Sequence, residues 1–244
     1  MLIIKENPIQ IGSYMADLIA KNIYKNPNLV LGLATGSTFI RIYNKLSQKH
    51  INDNLDFSRI KTFNLDEYFP FDPSHSHSYH YFMHRHFFDH VNLKEENINL
   101  LNGLTKNPSN HCKKYENKIN EVGGIDLQLL GIGVNGHIAF CEPGCDIDSY
   151  TSLVSLRQNT LDENSDGRFF KDNTEVPKTA LTMGIQTILS SKKIIIVAFG
   201  QRKKYAVKKA IEGPVTNKIP ASLLRMHDDV TWVLDEEASS MLTK

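Results

Sequence analysis

Short, nearly continuous apolar runs recur along the chain, each followed by a stretch whose apolar residues return at helical spacing. The runs Leu29–Ala34, Ile60–Leu65, Leu127–Ile132, Lys193–Phe199 and Val230–Leu234 have strand length and little alternation, as strands covered on both faces do. Helices are predicted around Ile9–Asn26, Thr38–Lys49, Ser78–Phe88, Asn110–Val122, Thr179–Leu189 and Arg202–Ile211. In the second of these, Phe39, Ile40, Ile42, Tyr43 and Leu46 recur with the helical period. The alternation predicts an α/β fold: a doubly wound, mainly parallel sheet with helices on both faces, Rossmann-like in plan. Glu142–Lys178 has no clear periodicity and carries Asp148, Asp162, Asp166, Asp172 and Asn173. A segment so long and irregular reads as a lid or binding loop, over about 145–178. No repeat, low-complexity tract or Pro/Gly-rich linker divides the rest, so residues 1–244 read as a single domain.

Composition narrows the function without naming it. With 41% hydrophobic and 23% charged residues the chain is ordinary for a soluble protein. A net charge of +1 leaves no excess of cations for nucleic-acid phosphates. No apolar run approaches the ~20 residues a membrane span needs, and the Met-Leu-Ile-Ile-Lys-Glu start does not resemble a signal peptide. The three cysteines Cys112, Cys141 and Cys145 fit a reduced compartment, so a cytoplasmic location is expected. Cys141 and Cys145 lack the second pair that a metal or redox site of this kind would use.

In doubly wound sheets ligands gather at the carboxyl ends of the strands, and three strand ends here carry chemistry. Gly32-Leu-Ala-Thr-Gly-Ser-Thr38 runs straight into a helix. Its small residues and the helix N-terminus suit a phosphate, although a capped tight turn fits the same residues equally well. The Gly-Lys-Ser/Thr ending of a nucleotide P-loop is absent. Asp66 and Glu67 follow the second strand. A carboxylate with restricted water can serve as a general base, but on their own the pair reads as a surface turn.

After the third strand, Gly131-Ile-Gly133-Val-Asn135-Gly136 matches Gly-x-Gly-x-x-Gly. Pro143 and Gly144 interrupt the helix a dinucleotide site requires, and no acidic residue stands about 20 positions on. The turn instead gathers Asn135, His137 and Glu142, a set in which an oriented histidine can move protons near neutral pH. Taken alone, His137 is more simply a buried, hydrogen-bonded histidine. His75, His77, His80, His84, His86 and His90 crowd sixteen residues. Their i,i+4 pairs could bind zinc, but the apolar Tyr79, Phe82, Met83 and Phe87 among them fit an ordinary amphipathic helix.

Together the strand ends resemble the glucosamine-6-phosphate deaminase (glucosamine-6-phosphate isomerase) family over essentially the whole chain. The resemblance rests on Leu31–Thr38, Thr62-Phe-Asn-Leu-Asp-Glu-Tyr68, Ser78–His90, Glu96–Gly103, Gly131–Gly144, Ser165–Phe170 and Val176–Thr182. It implies conversion of glucosamine 6-phosphate to fructose 6-phosphate and ammonia without cofactor or metal. In this resemblance Asp66 matches the base that moves a proton between C2 and C1, and His137 the residue that opens the sugar ring. Asn135 and Glu142 match its assistants. Gly36, Ser37, Thr38, Arg168 and Lys203 match the phosphate-binding set. Lys203 is thus set apart from the basic run Arg202–Lys204 with Lys208 and Lys209, whose other members read as solvated surface.

The chain also departs from the family. Asn135 stands where some members have Asp, and Cys141 replaces the usual Asn before Glu142-Pro143. The Arg and Lys of the allosteric site in longer members are missing after Gly144, which implies the short, unregulated form: hyperbolic kinetics, in a monomer or small homo-oligomer. Two rivals remain at this point, a 6-phosphogluconolactonase-type hydrolase and a sugar-phosphate-binding module without turnover. Lactonases resemble this chain less, with Arg at the position of Tyr68 and Thr-Ala-Ser after Gly-His.

Overall fold

A computed structural model describes residues 1–156 and 177–243. The first helix illustrates how local signals set its elements. After strand β1 (Leu2–Lys5), helix α1 (Pro8–Lys25) opens with Pro8 in its first turn and with the Asn7 side chain accepting the N–H groups of Ile9 and Gln10. Ile11, Met15, Ile19 and Ile23 recur every four residues and are buried, which turns one face of the helix into the core. Strand β2 (Val30–Leu33), helix α2 (Ser37–Asp53) and strand β3 (Lys61–Asn64) repeat the pattern. They are followed by β4 (Asp66–Phe69), α3 (Tyr79–His86), β5 (Ile98–Asn99), α4 (Pro108–Glu121) and β6 (Leu127–Gly131). The later elements are β7 (Ser152–Ser155), β8 (Thr179–Thr182), α5 (Ile185–Leu189), β9 (Ile194–Ala198), α6 (Lys204–Glu212), β10 (Val230–Asp235) and α7 (Glu236–Ser239).

Seven strands form one parallel sheet in the order β1-β10-β9-β6-β2-β3-β5. From β2 the chain winds outward through β3 to β5, whereas from β6 it winds the opposite way through β9 to β10. The direction reverses between β2 and β6, where loops diverge and a crevice opens at the carboxyl ends. Every residue of β2, β9 and β10 is buried, in keeping with a sheet covered on both faces.

A second, antiparallel sheet, β4-β8-β7, corrects two sequence expectations. Thr179–Leu189 is not one helix: Thr179–Thr182 is strand β8, and only Ile185–Leu189 is helical. Periodicity cannot tell so short an apolar run from a helix, and pairing with two long-range neighbours decides it. Asp66-Glu67-Tyr68 is no surface turn but strand β4, buried at all three positions. Of the expected lid, Ser152–Ser155 is strand β7 paired with β8, while 157–176 lies outside the described residues. Strands β1 and β5 were not anticipated either. Four and two residues long, with exposed or half-buried positions, they carry too weak a pattern to read.

Candidate active site

The crevice between β2 and β6 is a cavity of about 210 Å³, lined in part by Gly36, Ser37, Thr38, Asp66, His137 and Lys203. Gly36 caps α2 with φ at +98°, a conformation that favours glycine. Among the described residues no side chain caps this end of the helix. The first-turn N–H donors of α2 and the hydroxyls of Ser37 and Thr38 are therefore available to an anion, with the helix dipole in support. Lys203 reaches the same cavity from the short turn Gln201–Lys203 that follows β9. Arg168 lies outside the described residues.

Asp66 stands where the chain leaves one sheet for the other. Leu65 donates its N–H to Leu33 O at 3.0 Å and accepts from Met183 N at 2.7 Å, and Asp66 then begins β4 opposite Thr182. Its side chain is 7% exposed on the cavity wall, and no described residue gives its carboxyl a hydrogen bond. Burial, with Glu67 beside it, pushes Asp66 up to about 8. Glu67 is more deeply buried but well supplied, taking N–H bonds from Tyr68 at 2.9 Å, Tyr79 at 3.0 Å and His80 at 2.8 Å. Burial raises it to about 7 against the pull of those donors.

Asn135, His137 and Glu142 meet in the turn after β6. Asn135 Nδ2 donates to Glu142 Oε2 at 2.9 Å. A carboxylate only accepts, so the amide nitrogen faces Glu142 and Oδ1 faces the histidine. Oδ1 receives the His137 backbone N–H at 3.1 Å and lies 2.8 Å from Nδ1. An amide oxygen there requires the Nδ1–H tautomer, so Nε2 is the basic nitrogen of the neutral ring. Glu142 Oε2 is 3.9 Å from Nδ1 and stands behind the ring rather than on the cavity wall. Ala139, in the same turn, has φ at 49°, a left-handed conformation uncommon away from glycine. The imidazole lies flat on Gly133: a Cβ there would sit 2.2 Å from Cε1 and 2.3 Å from Nδ1. Turns, not a helix, follow Gly131–Gly136, so the glycine pattern serves ring packing and offers no helix N-terminus to a pyrophosphate.

Tyr79 and Phe140 also line the cavity, with near-parallel rings 6.0 Å apart. Neither was singled out as a site residue from sequence, although Tyr79 follows Ser78, a helix-start signal. Cys141, of unassigned effect in the sequence, is buried, and its thiol donates to Met183 O at 3.3 Å. Two histidines of the crowded stretch bond locally: His84 Nδ1 lies 2.9 Å from Asp89 Oδ1, and His90 Nε2, just beyond α3, lies 2.8 Å from Arg85 O. Among the described residues no group of three or more His, Cys, Asp or Glu is placed to hold a metal ion, and no helix is long and apolar enough to cross a membrane.

A family model described as glucosamine-6-phosphate isomerases/6-phosphogluconolactonase matches residues 7–232. A glucosamine-6-phosphate deaminase of Thermoanaerobacter sp. (strain X514) is 45% identical over 241 residues, 99% of this chain and 94% of the relative. One of Clostridium botulinum (strain Loch Maree / Type A3) is 46% identical over 241 residues, covering 99% and 98% of the two chains. The solved structure of a monomeric glucosamine-6-phosphate deaminase superposes with a TM-score of 0.96 at 41% identity, over 99% of both chains. A 6-phosphogluconolactonase from Trypanosoma cruzi reaches a TM-score of 0.79 at 21% identity over 100% of this chain and 97% of its own, a likeness of fold alone.

Proposed function

The chain belongs to the glucosamine-6-phosphate isomerase/6-phosphogluconolactonase family, and we propose that it isomerises and deaminates glucosamine 6-phosphate to fructose 6-phosphate and ammonia. The observation that carries this reading is a buried carboxyl that no described residue hydrogen-bonds, Asp66, on the wall of the cavity that also holds His137 and the N-terminus of α2. In this reading the phosphate rests on Gly36, Ser37 and Thr38 with Lys203, and Arg168 completes the set. His137 Nε2 takes the proton of the C1 hydroxyl and returns it to the ring oxygen, opening the pyranose. Asn135 and Glu142 hold the imidazole in the tautomer this transfer needs.

Asp66 then removes the C2 proton of the open-chain aldehyde, whose oxygen takes a proton given up by the C2 ammonium, leaving an enolamine. The same carboxyl returns its proton to C1. Water adds to the C2 iminium that results, and ammonia leaves as the ketone forms. A base near pH 8 is strong enough to take a carbon-bound proton and close enough to neutrality to be ionised in use. The substrate's own ammonium at C2 favours the carboxylate form of Asp66. Nitrogen and carbonyl both come from the sugar, so the sequence of steps uses no cofactor and no metal.

The deaminase relatives span the whole chain at 45–46% identity, which supports this substrate over a lactone. We further read the protein as a monomeric, cytoplasmic hydrolase of N-acetylglucosamine degradation, with hyperbolic kinetics that N-acetylglucosamine 6-phosphate does not alter. The test is ammonia release by the purified protein from glucosamine 6-phosphate, with galactosamine 6-phosphate and 6-phosphogluconolactone beside it. Turnover of the first to fructose 6-phosphate, unchanged by EDTA, is expected. Silence on both amino sugars would overturn the proposal, and turnover of the lactone alone would put the hydrolase in its place.

A further inference from the structure

Glu67 lies one residue from Asp66 but does not line the cavity. At 2% exposure it is among the most buried charged residues described, and a carboxyl so placed is costly unless its hydrogen bonds repay the burial. Its bonds go to the start of α3. Oε1 accepts Tyr79 N–H at 3.0 Å and Oε2 accepts His80 N–H at 2.8 Å, while the Ser78 hydroxyl oxygen accepts Tyr81 N–H at 2.9 Å. The first intrahelical bond follows, from Phe82 N–H to Ser78 O at 3.0 Å. The opening donors of α3 are thus taken by Glu67 and Ser78. Tyr79, the residue fixed by Glu67 Oε1, is the one whose ring stands on the cavity wall.

We propose that Glu67 is a positioning residue for the reaction, one that ties the N-terminus of α3 to the strand of Asp66, holds Tyr79 against the sugar and sets the ionisation of Asp66. The inference rests on the role proposed above for Asp66. The charge environment singles Glu67 out. Facing Asp66 from the neighbouring elements are the hydroxyls of Tyr43 on α2, Tyr79 on α3 and Tyr115 on α4, and the thiol of Cys141. Burial raises the three tyrosines, and a hydrogen bond with the Cys145 thiol together with burial raises Cys141, so all four are uncharged near neutral pH. Leu181 and Thr182, opposite on β8, carry no charge, and His137 and Lys203 belong to the shared cavity. The anion beside Asp66 is Glu67, which its three N–H donors ionise first, so that Asp66 gives up its proton against a charge already present.

Two substitutions separate reach from charge. Glu67→Gln keeps Oε1 for Tyr68 and Tyr79 but removes the charge. Glu67→Asp keeps the charge on a side chain too short to reach α3. In kcat/KM against pH, Glu67→Gln moves the acid limb down by about one pH unit. Glu67→Asp raises KM roughly tenfold as Tyr79 is released. Substrate ionisation is common to all the proteins and cancels in the comparison. An acid limb unmoved in Glu67→Gln, or a wild-type KM in Glu67→Asp, would overturn the proposal. A second readout needs no turnover: the pH range over which Asp66→Asn gains stability relative to Asp66, measured with Glu67 and with Gln at that position. A shift of that range to lower pH upholds the coupling even if no amino sugar is turned over, in which case only the reaction assigned above fails. An unshifted range refutes the coupling itself.

Discussion

Replacing Asp66 by Asn should slow turnover by orders of magnitude and yet stabilise the protein, increasingly so as pH rises. Burial and Glu67 carry the Asp66 carboxyl from 3.8 to about 8, which limits the cost of its charged form in the fold to at most about 6 kcal/mol. Because the folded pKa is the higher one, the folded protein holds a proton that the unfolded chain releases between about pH 4 and pH 8. Stability therefore falls with rising pH across that window and levels off above it. Asn has the same shape and no charge to bury, so its advantage over Asp is smallest near pH 4 and largest above pH 8. Some of the cost is relieved by relaxation and by water in the cavity, which leaves an expected gain of about 2–3 kcal/mol at pH 8.5. That corresponds to roughly 5–10 °C in Tm for a chain of this size. Urea unfolding of both proteins at intervals from pH 5 to pH 9 reads the difference directly, and kcat should fall by about 10²–10⁴ in parallel. A stability difference that is flat with pH, or one that favours Asp at high pH, would refute the assignment of a buried, strained carboxyl. It would leave Asp66 an ordinary ionised residue.

Three further outcomes follow from the site. Gly133→Ala would place a Cβ 2.2 Å from His137 Cε1 and tilt the ring; kcat should drop by about 10²-fold, whereas binding of inorganic phosphate at the α2 terminus, followed by titration calorimetry, should be unchanged. Cys141→Ala removes a weak thiol donor from Met183 O, which Thr182 Oγ1 also serves at 3.2 Å, and a weak contact with the Cys145 thiol. Unfolding should show a loss of about 1 kcal/mol or less, and a loss of several would mean the thiol anchors the Glu142 turn. Lys203→Met should raise KM by about 10–100-fold with kcat little altered; a collapse of kcat alone would remove Lys203 from the phosphate set.

Five of the seven strands of the parallel sheet were legible in the sequence because they are buried on both faces. A strand such as Ile194–Ala198 has no polar alternation to confuse it with a surface element. The carboxyl-end loops were legible for a related reason: Gly36 and Gly133 are glycines because a backbone angle and a ring demand it, and such demands leave their mark at single positions. The antiparallel sheet was not legible. Asp66-Glu67-Tyr68 has the local character of a turn, and Thr179–Thr182 is too short to declare its period; each becomes a strand only through pairing with the other, more than a hundred residues away. That pairing buries Asp66 and raises its pKa, aims Glu67 at the first donors of α3 and brings Tyr79 to the cavity wall. Sequence by itself determined which residue types stand at the ends of the central strands. Tertiary structure decided which of them lose their water, and loss of water is what changes a carboxyl from a solvated surface charge into a base.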